Sequence, residues 1–118
     1  MVDNALPQSP SENRPVVGFV TAPSVEVARL LANSLLEKES VTCVNLIPGV
    51  ESVYRWDGKV QSDQEILMMV KTMTSAQRSV IETIAAEHPY DVPECIFIEV
   101  TEGHSPYLSW LNQEVRKT

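Results

Sequence analysis

The segment from position 87 to position 94, EHPYDVPE, concentrates side chains that could bind a ligand. It contains one imidazole, one phenol and three carboxylates, on His88, Tyr90, Glu87, Asp91 and Glu94. Because a proline pushes the residue before it out of helical geometry, Pro89 should end a helix here. Imidazole and carboxylate together suit borderline divalent ions, and copper(II) binds most such sites tightest of the first-row metals. The segment predicts a metal or small-ligand site around His88; the alternative is an ordinary helix end at which His88 contacts the last carbonyls.

Two cysteines and one lysine are further candidates. Cys43 and Cys95 lie in predicted strands, where burial in the core explains a free cysteine without a thiolate site. They are too few and too far apart for a zinc signature. Lys71 interrupts an apolar strand and needs a solvent-filled cleft or an acidic partner. We expect it either to form part of an anion pocket or to extend to the surface.

The sequence contains no recognisable catalytic motif. It lacks G-x-S-x-G, H-E-x-x-H and a P-loop, and it has only four glycines from which a phosphate-binding loop could be built. We therefore predict that the protein is not an enzyme and requires no cofactor, although it could bind copper(II) or another divalent cation.

Composition and charge narrow the range of partners. Nine Lys and Arg residues against 16 Asp and Glu residues give a net charge of -7, which argues against binding to nucleic acid or to an anionic membrane surface. No apolar run approaches the ~20 residues of a membrane span, and residues 1–14 lack the basic start and apolar core of a secretory signal. We expect a disordered tail over 1–14, one domain over 15–118 and a cytoplasmic location.

Residues 41–73 are typical of one long β-hairpin. Asp57-Gly58 is a preferred two-residue turn, because both of its positions need positive φ. Folding there would form three cross-strand pairs, Trp56 with Lys59, Tyr54 with Gln61, and Ser52 with Asp63. Pro48-Gly49 should interrupt the first strand with a bulge, since proline cannot donate a hydrogen bond to a neighbouring strand.

The two ends of this hairpin differ in character. Residues 41–47 and 66–70 are apolar at almost every position, which is typical of strands that are covered on both faces. Residues 61–65 are polar, and the apolar residues of the opposite strand alternate with polar ones. A two-stranded arm with one apolar face is unstable alone. We therefore expect the tip to project from the core and to contact another copy of the chain.

Helix and strand signals surround the hairpin. A β-rich run at 15–21 comes before a helix at about 24–39, with Ser24 as its N-cap. Thr74 and Gln77 have the spacing of a capping box that opens a second helix.

The chain ends in a fourth strand, at 93–101, and a short helix. Ser105-Pro106 supplies the N-cap and first position of that helix. On spacing alone, four of its residues should form a stripe facing the core: Tyr107, Trp110, Leu111 and Val115.

The order β-α-β-β-α-β with an added C-terminal helix is the split-βαβ pattern, an α+β fold. It predicts a four-stranded antiparallel sheet with both helices on one face and the long hairpin between the second and third strands. Apolar residues on the other face would need cover from the C-terminal segment, a ligand or a partner subunit. A trimer with its sheets facing inward would provide that cover. Many unrelated functions share this pattern, so it does not decide function.

Several short motifs, in this order and spacing, resemble the CutA family, the divalent-cation tolerance proteins, from about Val16 to Val115. They are TAP at 21–23, CVNLIPG at 43–49, SVYRWDGK at 52–59, KT at 71–72, HPY at 88–90 with Pro93-Glu94, and YLSW at 107–110. The resemblance implies a ferredoxin-like sandwich, a homotrimer held partly by the long hairpin, and an architecture similar to that of the PII signal-transduction proteins. It also implies copper binding in metal-ion tolerance instead of a chemical reaction.

The resemblance also implies positions for metal ligands. In some bacterial members the proposed ligands are a cysteine on the first strand and two consecutive histidines, which fall here on Val20, Glu87 and His88. A valine cannot ligate a metal, so the implied site consists of the His88 imidazole and the harder Glu87 carboxylate.

An alternative within the family is a PII-like signalling or scaffold trimer that binds a small ligand between subunits. The residues near such a cleft would be Tyr54, Trp56, Lys71, His88, Tyr90 and Glu94, together with Cys43, Tyr107 and Trp110. Lys71 would then be the counter-charge of an anionic ligand, and the aromatic rings would be the walls of the cleft.

Overall fold

The structure, a computed structural model, describes residues 12–116. Its elements are β1 (Pro15–Ala22), α1 (Val25–Glu37), β2 (Cys43–Trp56), β3 (Lys59–Met73), α2 (Gln77–Glu87), β4 (Ile96–Glu99) and α3 (Ser105–Glu114). The strands form one antiparallel sheet in the order β2-β3-β1-β4. The predicted α+β fold is confirmed. Residues 1–11, most of the predicted tail, and residues 117–118 lie outside the described part of the chain.

The predicted hairpin is present with the predicted register. Trp56 pairs with Lys59 across a turn in which Asp57 and Gly58 have φ values of 55° and 76°. Two consecutive positive φ values are the requirement of a type I′ turn. The register shifts between Ile47 and Val50, which confirms the bulge at the Pro48-Gly49 step.

The outer part of the hairpin extends beyond the rest of the sheet. The pairing of β1 with β3 ends at Ala22 and Ile66, whereas β2 and β3 continue from the Val50–Glu65 pair to the turn. We call this two-stranded extension, residues 50–65, the arm. Within residues 12–116 no third strand lies beside its two strands, as expected for a projecting tip.

One face of the sheet packs against α1 and α2 and forms the core. Alternate residues of β1 and β3 point into it, and both helices direct their apolar stripes at them. The fully buried members include Val20, Met68 and Val70 from the strands and Leu35, Val80 and Ile84 from the helices. Ser24 caps α1 as predicted, because its hydroxyl accepts a hydrogen bond from the Val27 amide at 3.2 Å.

The opposite face of the sheet is open to solvent in the single chain. The register places Val17 beside Lys71 and Ile98 on this face. Ile96 and Ile98 are 57% and 56% exposed, which is high for a residue type that is usually buried. The base of the hairpin was predicted to be covered on both faces. In the single chain both helices lie on one side, so cover of the open face by a partner subunit or a ligand stays a prediction.

Two local predictions also fail. Thr74 does not form a capping box with Gln77, because its hydroxyl accepts from the Arg14 amide at 3.1 Å and a short 3-10 turn precedes α2. Of the predicted stripe of the last helix, only Leu111, on α3, and Val115, directly after it, are buried. Tyr107 and Trp110 stay partly exposed and pack against each other, with ring centroids 5.6 Å apart.

The helices of the described chain are short, between 10 and 13 residues. Among residues 12–116, none of them combines the length and the apolar character that crossing a membrane requires.

Candidate functional site

His88 lies at the end of α2 and turns its ring toward β1. Its Nε2 is 2.8 Å from the Thr21 carbonyl oxygen, and its Nδ1 accepts a hydrogen bond from the Tyr90 amide at 3.1 Å. Since Nδ1 is an acceptor, the ring proton must be on Nε2, which donates it to Thr21. The predicted contact of His88 with the last helix carbonyls is replaced by this contact with a strand. The side chain is 7% exposed.

Glu87 points away from His88 and joins the two helices. Its carboxylate is 3.0 Å from the Lys38 ammonium, on the side of α2 that faces α1. A hydrogen bond from Ser34, followed by the hydrogen bond and charge of Lys38, holds the pKa of Glu87 below its usual value. This carboxylate is therefore already engaged in an ion pair at the surface.

The positions implied for metal ligands do not converge in the single chain. Val20 is fully buried among the core residues, while Glu87 pairs with Lys38 and His88 is bonded through both ring nitrogens. Within residues 12–116, His, Cys, Asp and Glu side chains nowhere gather in threes close enough to hold a metal ion. The Glu87–His88 pair does not fit a preformed metal site, and metal ligation by it stays a prediction.

A second group of side chains meets where the arm leaves the sheet. The Tyr90 hydroxyl donates to Glu65 at 2.8 Å, and the Tyr54 hydroxyl donates to Asp63. Glu94 lies close enough to feel the charge of Glu65. We call these five residues, Tyr54, Asp63, Glu65, Tyr90 and Glu94, the acid–phenol cluster. It joins the arm to the connection between α2 and β4.

Burial and nearby carboxylates together shift the pKa values of three members of the acid–phenol cluster. Burial, then the hydrogen bond and charge of Glu65, raise the pKa of Tyr90 to about 12. The hydrogen bond to Asp63 is the main cause that raises the pKa of Tyr54. Burial and the charge of Glu65 raise the pKa of Glu94. The named charges acting on these groups are all negative, so the cluster would favour a cation.

Cys95 directly follows Glu94, and the pKa of its thiol is also shifted by burial and by a neighbouring carboxylate. Burial, with a smaller contribution from Glu94, raises the pKa of the Cys95 thiol to about 11. A thiol with so high a pKa is a poor nucleophile at neutral pH, which agrees with its interpretation as a packing residue.

The other predicted cleft residues lie elsewhere. Trp56 continues the Tyr54 face of the arm toward the turn and is more than half exposed. Lys71 pairs with Cys43 across β2 and β3 on the open sheet face, and its ammonium donates to Asn45. From Glu65 to Lys71 the strand advances six residues, about 20 Å. Tyr107 and Trp110 lie on α3, where their rings pack against each other.

Sequence reasoning did not identify Asp63 and Glu65 as site residues. Both belong to the polar segment 61–65, which was predicted to lie toward the projecting tip. Glu65 is only 9% exposed, because Tyr90 covers it from a connection 25 positions away. The available signal was its place directly before the apolar run at 66–70, where a carboxylate at the edge of a core needs a partner.

Fold and site together define an α+β protein with a ferredoxin-like sheet, a long two-stranded arm and a cluster of acids at the base of that arm. A family model described as CutA1 divalent ion tolerance protein matches residues 16–114. The chain belongs to this family.

Related sequences extend over most of this domain. The chain is 46% identical over 97 residues to the divalent-cation tolerance protein CutA of Thermus thermophilus, covering 82% of this chain and 94% of that protein. It is 46% identical over 101 residues to the chloroplastic protein CutA of Arabidopsis thaliana and 44% identical over 95 residues to protein CutA of Mus musculus. The matches cover only 56% and 54% of those two longer proteins.

Solved structures show the same fold. The CutA1 structure from Thermus thermophilus superimposes with a TM-score of 0.84 at 44% identity, covering 86% of this chain and 99% of that chain. The CutA1 structure from Oryza sativa gives 0.86 at 41% identity, covering 89% and 96%. The ferredoxin-like class of the fold is thereby confirmed.

Proposed function

We propose that the protein binds divalent cations, copper(II) most tightly, as a homotrimer and serves in metal-ion tolerance instead of catalysing a reaction. The observation that carries the proposal is the acid–phenol cluster, in which burial and the charge of Glu65 raise the pKa values of Tyr90 and Glu94. Gathering like charges costs free energy, and a bound cation would relieve that cost. Membership of a family described as divalent ion tolerance proteins points to the same ligand class.

The choice of copper(II) follows from general coordination chemistry. For a given set of oxygen and nitrogen ligands, affinity among first-row divalent ions rises to a maximum at copper(II) and falls at zinc(II). The cluster contains three carboxylates and two phenols, with Glu65 held by Tyr90, Asp63 held by Tyr54, and Glu94 nearby. Within residues 12–116 these carboxylates do not converge closely enough to hold a metal ion by themselves, so we propose that a neighbouring copy completes the coordination.

Self-association is supported by two surfaces of the single chain. The open sheet face carries exposed isoleucines on β4, and the arm carries Val53, Trp56 and Val60 into solvent. Exposed apolar surface of this kind is typical of interfaces, and an arm of two strands gains stability from contact with another chain. The number three rests on the resemblance to CutA proteins. A PII-like small-ligand site has less support, because Lys71 lies along β3 away from the cluster.

The experiment that tests cation binding is calorimetric titration of metal-free protein with copper(II) and zinc(II). We expect saturable copper(II) binding that weakens at least tenfold in Glu65→Gln and in Glu94→Gln. Glu26→Gln is the matched control, because Glu26 is a carboxylate in the first turn of α1, outside the cluster. Copper(II) affinity that is unchanged in both cluster variants would overturn the proposed site.

A further inference from the structure

We infer that His88 is a positioning residue that holds Tyr90 against Glu65, and that it does not ligate the cation. The inference deepens the proposed function and rests on it for the identity of the bound ion. It reverses the role that the sequence resemblance implies for this imidazole. Three features of the structure carry it: the two hydrogen bonds of the ring, its enclosure, and the path from the ring to the acid–phenol cluster.

Both ring nitrogens of His88 are already used. A metal binds imidazole through an unprotonated nitrogen. Nδ1 is unprotonated, but its lone pair accepts the Tyr90 amide hydrogen at 3.1 Å. Nε2 carries the proton and directs it at the Thr21 carbonyl oxygen, 2.8 Å away. Ligation through Nδ1 would displace the Tyr90 amide, and ligation through Nε2 would set a metal against a carbonyl that now accepts a hydrogen bond.

The ring is also enclosed by its own chain. It is nearly buried, and the Tyr90 ring packs against it with the centroids 4.6 Å apart. The adjacent carboxylate that could share a metal, Glu87, turns to Lys38 instead. An ion approaching His88 would therefore have to displace Tyr90 and would find no second ligand from Glu87.

A continuous path of contacts leads from His88 to the cluster. The His88 amide closes the last turn of α2 by donating to Ile84 at 3.0 Å. Its side chain then fixes the backbone of Tyr90, and the Tyr90 hydroxyl reaches Glu65 at 2.8 Å. The end of α2, the end of β1 and the base of the arm are joined through this one imidazole. Loss of the His88 imidazole should release Tyr90 from Glu65. This would alter the geometry of the acid–phenol cluster without removing a cation ligand.

The decisive experiment observes His88 directly in a His104→Gln background. The sequence contains two histidines, so this change leaves His88 as the source of all imidazole signals. Long-range proton–nitrogen spectra of histidine-labelled protein should show the proton on Nε2, unchanged when zinc(II) is added. The electron paramagnetic resonance spectrum of the copper(II) complex should lack coupling to an imidazole nitrogen.

Opposite results would overturn the inference. They are a tautomer with the proton on Nδ1, a proton lost from Nε2 on adding zinc(II), or imidazole coupling that disappears in His88→Gln. If copper(II) does not bind at all, the proposed function fails. The spectrum of the metal-free protein would still show whether the His88 proton is on Nε2, as its two hydrogen bonds require. Failure of the proposed function and failure of the inference about His88 are therefore distinguishable.

A pair of variants tests the positioning role itself. In His88→Asn the side-chain oxygen can take the place of Nδ1 as acceptor for the Tyr90 amide, whereas His88→Ala removes that acceptor. Because burial and Glu65 raise the pKa of Tyr90 to about 12, its phenol should stay protonated at pH about 11. In His88→Ala the pKa should fall toward the ordinary value of about 10, giving mostly phenolate at that pH.

Carbon-13 NMR of the tyrosine ring, assigned with Tyr90→Phe, measures this ionisation. His88→Asn should keep Tyr90 closer to its original state than His88→Ala does, which a general loss of packing would not produce. A Tyr90 resonance that titrates identically in the parent protein and in His88→Ala would show that the imidazole does not position the phenol.

Discussion

At the scale of single residues, the carboxyl of Glu94 links the proposed cation site to pH. Burial and the charge of Glu65 raise its pKa, so the folded protein holds this proton more tightly than the unfolded chain does. The stabilising contribution of Glu94 is therefore complete below its ordinary pKa and is lost as pH rises through the raised value. A bound cation competes with the same proton.

We predict that copper(II) affinity falls as the pH is lowered through the pKa of Glu94, which burial and the charge of Glu65 raise. Titration calorimetry at pH 7 and pH 5 should show a weaker complex at the lower pH. In Glu94→Gln the difference between the two pH values should shrink. Glu87→Gln is the control, since hydrogen bonds from Ser34 and Lys38 lower the pKa of Glu87. An equal pH dependence in Glu94→Gln and the parent protein would contradict the assignment.

At the scale of secondary-structure elements, the contact between β1 and β4 depends on a glycine. Gly18 pairs with Phe97 across the two strands. A β-carbon at position 18 would lie 2.7 Å from Cε1 of the Phe97 ring, closer than carbon atoms can approach without movement. Phe97 packs against the core cluster, so its ring cannot move away freely. Strand β4 is four residues long and carries the exposed Ile96 and Ile98. The contact between Gly18 and Phe97 therefore also fixes where these isoleucines lie on the open sheet face.

Gly18→Ala should therefore lower the free energy of unfolding by about 1–3 kcal/mol, the usual cost of overpacking. Urea unfolding at a fixed protein concentration measures it, because association shifts apparent stability. The double variant with Phe97→Leu should recover part of the loss relative to Phe97→Leu alone. Strictly additive effects of the two changes would show that the ring is not the source of the strain.

At the scale of the whole molecule, the single chain presents one covered sheet face and one open one. Ile96 and Ile98 lie on the open face, at an edge strand, while the arm extends from the other side of the sheet. A chain with a projecting arm and a separate apolar face can form a closed ring, because each copy uses two different surfaces. This arrangement is what the proposed homotrimer requires.

We predict that Ile98→Asp weakens or abolishes the trimer, because a carboxylate would be buried without a partner in the interface. Sedimentation should give three chain masses for the parent protein and a single chain mass for the variant. Leu30→Asp is the control, since Leu30 is exposed on α1 at the outer helical surface. A parent protein that sediments as a single chain at micromolar concentration would end the trimer proposal, and an unaffected Ile98→Asp trimer would remove this face from the interface.

The sequence by itself determined the order of the elements, the hairpin and its register. These features depend on neighbours in the chain: the Asp57-Gly58 turn needs only positive φ at two positions, and period-2 and period-3.6 patterns select strand or helix locally. Pro89 ends α2 through its effect on the residue before it. Each can be interpreted without knowing what packs above or below.

Only the tertiary structure decided which polar groups meet. The His88 ring contacts the Thr21 carbonyl, 67 positions away in the sequence, and the Tyr90 hydroxyl contacts Glu65, 25 positions away. The same imidazole was interpreted as a metal ligand because its type allows it, whereas its two hydrogen bonds fix its orientation toward β1 and Tyr90. Residue type and spacing limit what a side chain can do, but long-range packing sets the distance and direction of its partners, and hydrogen bonds and charge interactions depend on both.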